Sequence, residues 1–290
     1  MELDETLRAA LERALGSAPT VARRLGGGDI NDAFEVRLAD DRMVFVKTNA
    51  RAAREMFPTE ARGLAFLAEP KALRTPEVLA VSSPDDSTRF LALELVRSGS
   101  PARGHDEALG RGLAALHRFG APSFGLDHDN FIGSLPQSNR AHARWSDFFE
   151  KERLAPQLDR AVGLGRASTV MRRGFERLFS RLSDLAGPEE PPSRLHGDLW
   201  GGNLHTDEHG APCLVDPAVY GGHREIDLAM MRLFGGFGER VFSSYAEAFP
   251  LAPGASDRVA LYQLYPLMVH VNLFGGGYAA QVERILARYG

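Results

Sequence analysis

The feature that most restricts the fold is a change of pattern near Val96. Before it come short apolar or alternating runs: Pro19 to Leu25, Ala33 to Leu38, Met43 to Lys47, Val78 to Val81 and Phe90 to Val96. Such runs, separated by turns such as Asp40-Asp41 and Ser82-Ser83-Pro84-Asp85-Asp86, read as strands of an antiparallel meander. Two helical patterns accompany them. Leu3, Leu7, Ala10, Leu11, Ala14 and Leu15 recur at helical spacing before Gly16, and residues 51–68 carry Phe57, Glu60, Leu64 and Leu67. After the connector Arg97-Ser98-Gly99-Ser100-Pro101 the chain becomes mostly helical.

The expected architecture is therefore α+β and two-lobed. Residues 1–97 form a small N-terminal lobe with a five-stranded antiparallel sheet plus a helix, and residues 98–290 form a larger, mainly helical lobe. A cleft is expected at residues 94–101. The helical lobe is expected to hold a helix through Leu109, Leu113, Leu116 and His117, another from Trp145 to Leu158, and others over 168–186, about 238–248 and about 256–288.

Bulk properties exclude several classes. A net charge of -4 argues against a general electrostatic nucleic-acid binder. No stretch reaches the ~18 consecutive apolar residues of a membrane span, and the acidic start Met1-Glu2-Leu3-Asp4-Glu5 lacks the form of a signal peptide. A cytoplasmic protein is expected. The single cysteine, Cys213, precludes an intrachain disulfide or a cysteine metal cluster, and its apolar neighbours make it a small buried hydrophobe.

The chemistry concentrates in Leu195-His196-Gly197-Asp198-Leu199-Trp200-Gly201-Gly202-Asn203-Leu204-His205, followed by Cys213-Leu214-Val215-Asp216-Pro217. His-x-Asp, an Asn five residues beyond that Asp, and a strand ending in a second Asp suit phosphoryl transfer. Asp198 can accept a hydroxyl proton, while Asn203 and Asp216 are hard oxygen ligands for Mg²⁺. Taken alone, Asp198 is equally a metal ligand, a cap or a base.

Upstream, Gly26-Gly27-Gly28 makes a turn whose N–H groups, at Gly27 and Gly28, can approach phosphates without a Cβ in the way. Lys47 ends the third strand and can reach the same phosphates. Glu60 is its expected ion-pair partner, in competition with Glu55 and Glu69. Backbone groups of Glu94 and Val96 are candidates to hold adenine. No Gly-x4-Gly-Lys-[Ser/Thr] loop, His-Glu-x-x-His pair or Gly-x-Ser-x-Gly elbow is present. Elsewhere, His117 reads as a packed, hydrogen-bonded histidine. Asp227 reads as a hydrogen-bonder to the loop around His196, and the polar stretch 124–139 as a loop carrying specificity.

Five features thus stand in one order: glycine turn, strand lysine, helix glutamate, His-x-Asp-x4-Asn, and strand-Asp. At these residues the chain resembles the fructosamine kinases, or ketosamine-3-kinases, within the aminoglycoside-phosphotransferase variant of the protein-kinase-like fold. The resemblance spans nearly the whole chain and is most specific at His196 to Asn203, Asp216 to Tyr220 and Asp227 to Phe237. The Leu-Trp-Gly-Gly insert distinguishes it from generic phosphotransferases.

The resemblance implies ATP- and Mg²⁺-dependent phosphorylation at O3′ of a ketosamine, such as a fructosamine or ribulosamine, on a free or protein-bound amine. The product would shed its sugar, giving protein deglycation. It implies that Lys47 and Glu60 orient ATP phosphates, that Asp198 is the base, and that Asn203 and Asp216 hold Mg²⁺. Trp200 would face the acceptor sugar, with a core tryptophan as the competing reading. Gln137 and His270 are further acceptor-side candidates. A monomer is expected, with a small ketosamine or a glycated protein as partner. The competing functions are a kinase for an aminoglycoside- or choline-like hydroxyl compound and a catalytically silent ATP-binding protein.

Overall fold

A computed structural model describes residues 3–26 and 30–289. The chain begins with α1 (Glu5–Leu15), β1 (Pro19–Leu25), β2 (Asp32–Leu38), β3 (Met43–Thr48), α2 (Met56–Ala68), β4 (Val78–Val81) and β5 (Phe90–Glu94). Next come α3 (His105–Phe119), β6 (Asn130–Ile132), β7 (Leu135–Gln137), α4 (Trp145–Phe148), α5 (Ala155–Gly163), α6 (Thr169–Phe179) and α7 (Leu182–Leu185). A π-helical turn, Phe149–Leu154, joins α4 to α5. The rest is β8 (Ser193–Leu195), β9 (Leu204–Thr206), β10 (Pro212–Leu214), β11 (Tyr220–Gly222), α8 (Glu225–Phe234), α9 (Glu239–Ala248), α10 (Ala255–Phe274) and α11 (Tyr278–Leu286).

The chain divides into two compact units, Met1–His105 with Leu204–Pro217, and Asp106–Asn203 with Ala218–Gly290. Its passage between them is more involved than a single crossing near residue 97. Residues 204–217, which carry Asp216, return to the first unit.

In the first unit a five-stranded sheet runs in the order β1-β2-β3-β5-β4, every pair antiparallel. Helix α1 starts at Asp4, whose carboxylate accepts the N–H groups of Thr6 and Leu7, and stops at Gly16 in the left-handed conformation. Its Leu7, Ala10 and Leu11 share a core with Phe34, Val36, Val44 and Val46. Strand side chains alternate between faces, so Lys47 points away from the face that Val46 gives to this core. Helix α2 begins at Met56, later than residue 51, with Pro58 in its first turn where a missing N–H costs nothing. Strand β5 ends at Glu94, short of Val96.

The second unit is largely helical. Its core gathers Trp145, Phe148, Phe149, Phe175, Tyr220, Tyr262 and the buried face of α10. The terminal helical pattern is broken by Gly275-Gly276-Gly277 into α10 and α11, and the 168–186 pattern is broken at Ser180-Arg181 into α6 and α7. Gly275 and Gly276 have φ of 69° and 65°, a conformation open to glycine and strained for other residues. Among the described residues no helix is long and apolar enough to cross a membrane.

Candidate active site

The residues expected to carry chemistry fall into two groups, one in each unit. In the first unit Lys47 is 7% exposed. Its Nζ donates to Glu60 Oε1 at 2.7 Å and to Asp216 Oδ1. Burial pulls the Lys47 pKa down, but the Asp216 and Glu60 carboxylates outweigh it and hold the ammonium above its ordinary value. Burial pushes Glu60 up against the opposing influence of Lys47. Glu60 is thus the helix partner of Lys47; Glu55, just before the helix, lies 3.8 Å from Arg62.

Asp216 follows β10, the second strand of a hairpin in which Cys213 pairs with His205. Its φ of 54° is unusual for a residue other than glycine, and such backbone costs about 1–3 kcal/mol unless its surroundings impose it. The buried ammonium of Lys47 is one such constraint. The Asp216 side chain remains 47% exposed. Cys213 is fully buried, and burial pushes its thiol up to about 12, which agrees with a packing residue rather than a reactive one.

The end of β5 is partly committed to the sheet. The Glu94 N–H donates to the Glu77 carbonyl at 2.9 Å, and the Glu94 carboxylate accepts from Arg74 and from the Glu77 N–H. Val96 lies beyond the strand and is half-buried. Gly27 and Gly28 lie outside the described residues.

In the second unit the segment from His196 to Asn203 is fixed at both ends. Asp227, buried in the first turn of α8, accepts the N–H groups of His196 at 2.8 Å and Gly197 at 2.9 Å. It also faces His117 Nε2 at 3.3 Å, while His117 Nδ1 meets the Tyr245 hydroxyl at 2.8 Å. Burial raises the Asp227 pKa, but its bond to His117, the charges of His117 and His196 and the Gly197 N–H hold it below the usual carboxylate value. His117 and Asp227 therefore hold the backbone that leads into Asp198. Gly197 has φ of 83°, and a Cβ there would lie 2.0 Å from the Ala218 carbonyl oxygen. At the other end Asn203 Nδ2 donates to the Asp198 carbonyl at 2.8 Å and to Asp198 Oδ2 at 3.2 Å.

Trp200 is 43% exposed, so the core alternative is not realised. Its indole lies over Gly202, where a Cβ would come 2.3 Å from the ring. Gly201 meets Gly236 closely enough that a Cβ on Gly236 would fall 2.7 Å from the Gly201 Cα. The Gly-Gly pair is thus explained by packing: one glycine supports the indole and the other admits the loop after α8.

Gln137 is corrected by the structure. It is 2% exposed, and its amide donates to Asn130 Oδ1 and the Ala218 carbonyl, while Tyr265 donates to its Oε1 at 2.5 Å. Asn130 donates to the Val219 carbonyl, Asn139 donates to Asn130 Oδ1, and buried Arg153 donates to Asn139 Oδ1. Within the stretch read as a specificity loop, the β6–β7 hairpin turns Asn130 and Gln137 inward, and with Asn139 they support the backbone that follows Asp216-Pro217. Sequence reasoning missed Asn130, Asn139 and Arg153 as a set because a run of polar residues looks the same facing water or facing buried carbonyls.

His270 is half-buried on α10, its Nδ1 against the Pro266 carbonyl at 2.8 Å. Phe234, Phe274 and Tyr278 surround its ring, with centroids 4.5, 5.4 and 5.0 Å away. Burial lowers its pKa and favours the neutral ring.

Each unit offers a hard oxygen of the kind a divalent cation takes: the Asp216 carboxylate in the first, and in the second an Asn203 amide whose nitrogen is engaged with Asp198. Among the described residues no group of three or more His, Cys, Asp or Glu could cage a metal. Carboxylate and amide oxygens are donors of the type that suits Mg²⁺, which is usually held by one or two carboxylates together with substrate phosphates.

The family model for fructosamine kinases matches residues 3–289. The chain belongs to the fructosamine kinase family. A probable ketoamine kinase of Enterococcus faecium is 35% identical over 264 residues, covering 91% of this chain and 93% of the relative. A chloroplastic protein-ribulosamine 3-kinase of Oryza sativa subsp. japonica is 38% identical, covering 91% and 77%. A crystal structure from Thermobifida fusca, provisionally assigned as a fructosamine-3-kinase, superposes with a TM-score of 0.89 at 36% identity over 99% of this chain and all of that one. The aminoglycoside phosphotransferase APH(4)-Ia shares the fold, with a TM-score of 0.64 at 16% identity. The expected α+β, protein-kinase-like architecture is therefore the one the chain has.

Proposed function

We propose that this protein transfers the γ-phosphoryl group of ATP to O3′ of a ketosamine. The observation that carries the proposal is the His196 to Asn203 loop, rigidly anchored at Asp227 and Asn203, with Asp198 on it and an exposed indole two residues on. Asp198 takes the O3′ proton as the new O–P bond forms and the bond to the leaving ADP breaks. Lys47, oriented by Glu60, binds phosphate oxygens. Asp216 and Asn203 would hold Mg²⁺, which when bound neutralises charge on the phosphates. Backbone groups at Glu94 and Val96, together with Gly27 and Gly28, complete the nucleotide side. Positioning and electrostatics carry most of the rate.

On the acceptor side, Trp200 stacks on the apolar face of the sugar and neutral His270 offers a hydrogen-bonding ring. The acceptor is a free ketosamine or a glycated protein, the phosphorylated product sheds its sugar, and the enzyme works as a cytoplasmic monomer. Gly202→Ala tests the acceptor role of Trp200. A methyl group displaces the ring, so the ketosamine KM rises about tenfold, the worth of one aromatic stacking contact, with the ATP KM unchanged. An unaltered ketosamine KM removes Trp200 from the acceptor site.

The activity itself is tested by a coupled ADP-release assay across fructosyl, ribulosyl and erythrulosyl amines, with aminoglycosides and choline as competitors. Turnover on ketosamines above all others is expected. Preference for an aminoglycoside or choline, or no transfer to any acceptor, overturns the proposal.

A further inference from the structure

Arg74 stands between α2 and β4, outside every pattern that marks the strands and helices, and takes part in three separate attachments within the first unit. Its Nη2 donates to Glu94 Oε1, at the end of β5, at 2.5 Å. Its Nη1 donates to Asp207 Oδ2 at 2.6 Å and lies 3.5 Å from Glu208 Oε1. Its carbonyl accepts the Leu214 N–H at 2.8 Å, and its backbone bridges to Cys213. Asp207 is itself held: its Oδ1 accepts the N–H groups of His209 and Ala211, closing the turn between β9 and β10. These N–H groups and Arg74 keep its carboxyl low, at about 2, and so ionised. The connector after β5 is fastened to the same hairpin, with the Gly99 N–H donating to the Thr206 carbonyl at 3.0 Å. A Cβ on Gly99 would lie 2.3 Å from the Asp207 carbonyl oxygen.

The hairpin matters because β10 ends at Leu214, two residues before Asp216. Arg74 therefore joins the strand end assigned to the purine side, at Glu94, to the hairpin that presents the carboxylate assigned to the metal side. We propose that Arg74 is a positioning residue for the nucleotide, setting the place of the Glu94 end of β5 against that of Asp216. This rests on the roles given to Glu94 and Asp216 in the proposed function. A planar guanidinium can hold two carboxylates in different directions at once; an ammonium at the end of a flexible stem does this poorly.

The test uses the full chain and the probe MgAMP-PNP, measured by calorimetry, alongside steady-state kinetics and melting temperature. R74Q is expected to weaken MgAMP-PNP binding about tenfold, in line with loss of charge-assisted bonds, and to raise the ATP KM in step while the ketosamine KM stays at its wild-type value. R74K, which keeps the charge but not the two-way grip, is expected between wild type and R74Q. E94Q in an R74Q background is expected to add nothing further, because the two residues act as one link.

A residue that merely stabilises the hairpin would lower the melting temperature and leave this split absent. Wild-type binding of MgAMP-PNP by R74Q, or a parallel rise in both KM values, overturns the proposal. If R74Q does not fold, R74K decides: wild-type binding by that variant is equally fatal. Failure of the ketosamine reading shows separately, in the wild-type coupled assay, and leaves the calorimetric comparison intact. Wild-type protein that does not bind MgAMP-PNP overturns both.

Discussion

Asp198→Asn is expected to lower kcat by about 10²–10⁴-fold, the range for losing a general base, while leaving the fold and the ATP KM close to wild type. The structure favours a clean result. The Asp198 backbone is held from outside its own side chain, by the Asp227 bonds to His196 and Gly197 and by Asn203 Nδ2 on the Asp198 carbonyl. An amide at position 198 preserves size and cannot accept the proton. Single-turnover measurement of phosphorylated ketosamine separates this effect from a slower product release. Near-normal turnover in that variant would remove Asp198 from the role of base.

Asp227→Asn is expected to cost about 3–5 kcal/mol of stability, as for breaking a buried charge-paired group. Both carboxylate oxygens are engaged with donors: Oδ1 with the Gly197 N–H, and Oδ2 with the His196 N–H and His117 Nε2. An amide offers one acceptor oxygen and turns an NH₂ toward a donor, which leaves a buried N–H without its bond. Chemical denaturation measures the loss, and kcat falls with it because the same bonds orient the loop that carries Asp198.

The variant also reports on acid sensitivity. The folded Asp227 carboxyl titrates below its unfolded value of about 3.9. Its contribution is therefore fully present above that pH and is lost as pH falls through the lower, folded value. The wild type should lose stability steeply below about pH 4, and the Asp227→Asn protein should lose less over the same interval. Equal acid limbs in the two proteins would show that Asp227 is not the linked group.

Some of this was legible residue by residue. Helix α1 and the strands of the sheet follow from apolar spacing and turn residues, which act within a few positions along the chain and need no tertiary context. The packed role of His117 and the reach of Asp227 to the His196 loop could be anticipated because a histidine on an apolar helix face and a carboxylate opening a helix have few other outlets when buried. Helix ends were less legible. Gly275 to Gly277 split one expected helix, and Ser180-Arg181 split another, at points where periodicity continued across the break.

Side-chain direction was the harder matter. Gln137 lies in a polar segment that reads as a loop carrying specificity, yet its amide meets the Ala218 carbonyl, Asn130 and Tyr265 inside the second unit. Backbone carbonyls buried after Asp216-Pro217 require donors, and no local pattern says which distant amides supply them. Arg74 left no signal for the same reason, since its partners Glu94, Asp207 and Leu214 are far away along the chain.

By itself the sequence determined the α+β class, the order of the strand lysine, helix glutamate, His-x-Asp-x4-Asn and final Asp, and the family, because these are properties of spacing and residue type. Only the tertiary structure decided that Glu60 meets Lys47, that Asp216 sits at positive φ beside that lysine, that Trp200 is exposed over Gly202, and that Gln137 faces inward. Most of these depend on which groups the fold brings together from separate elements, where burial drives polar atoms to find partners and spacing along the chain is silent about which ones.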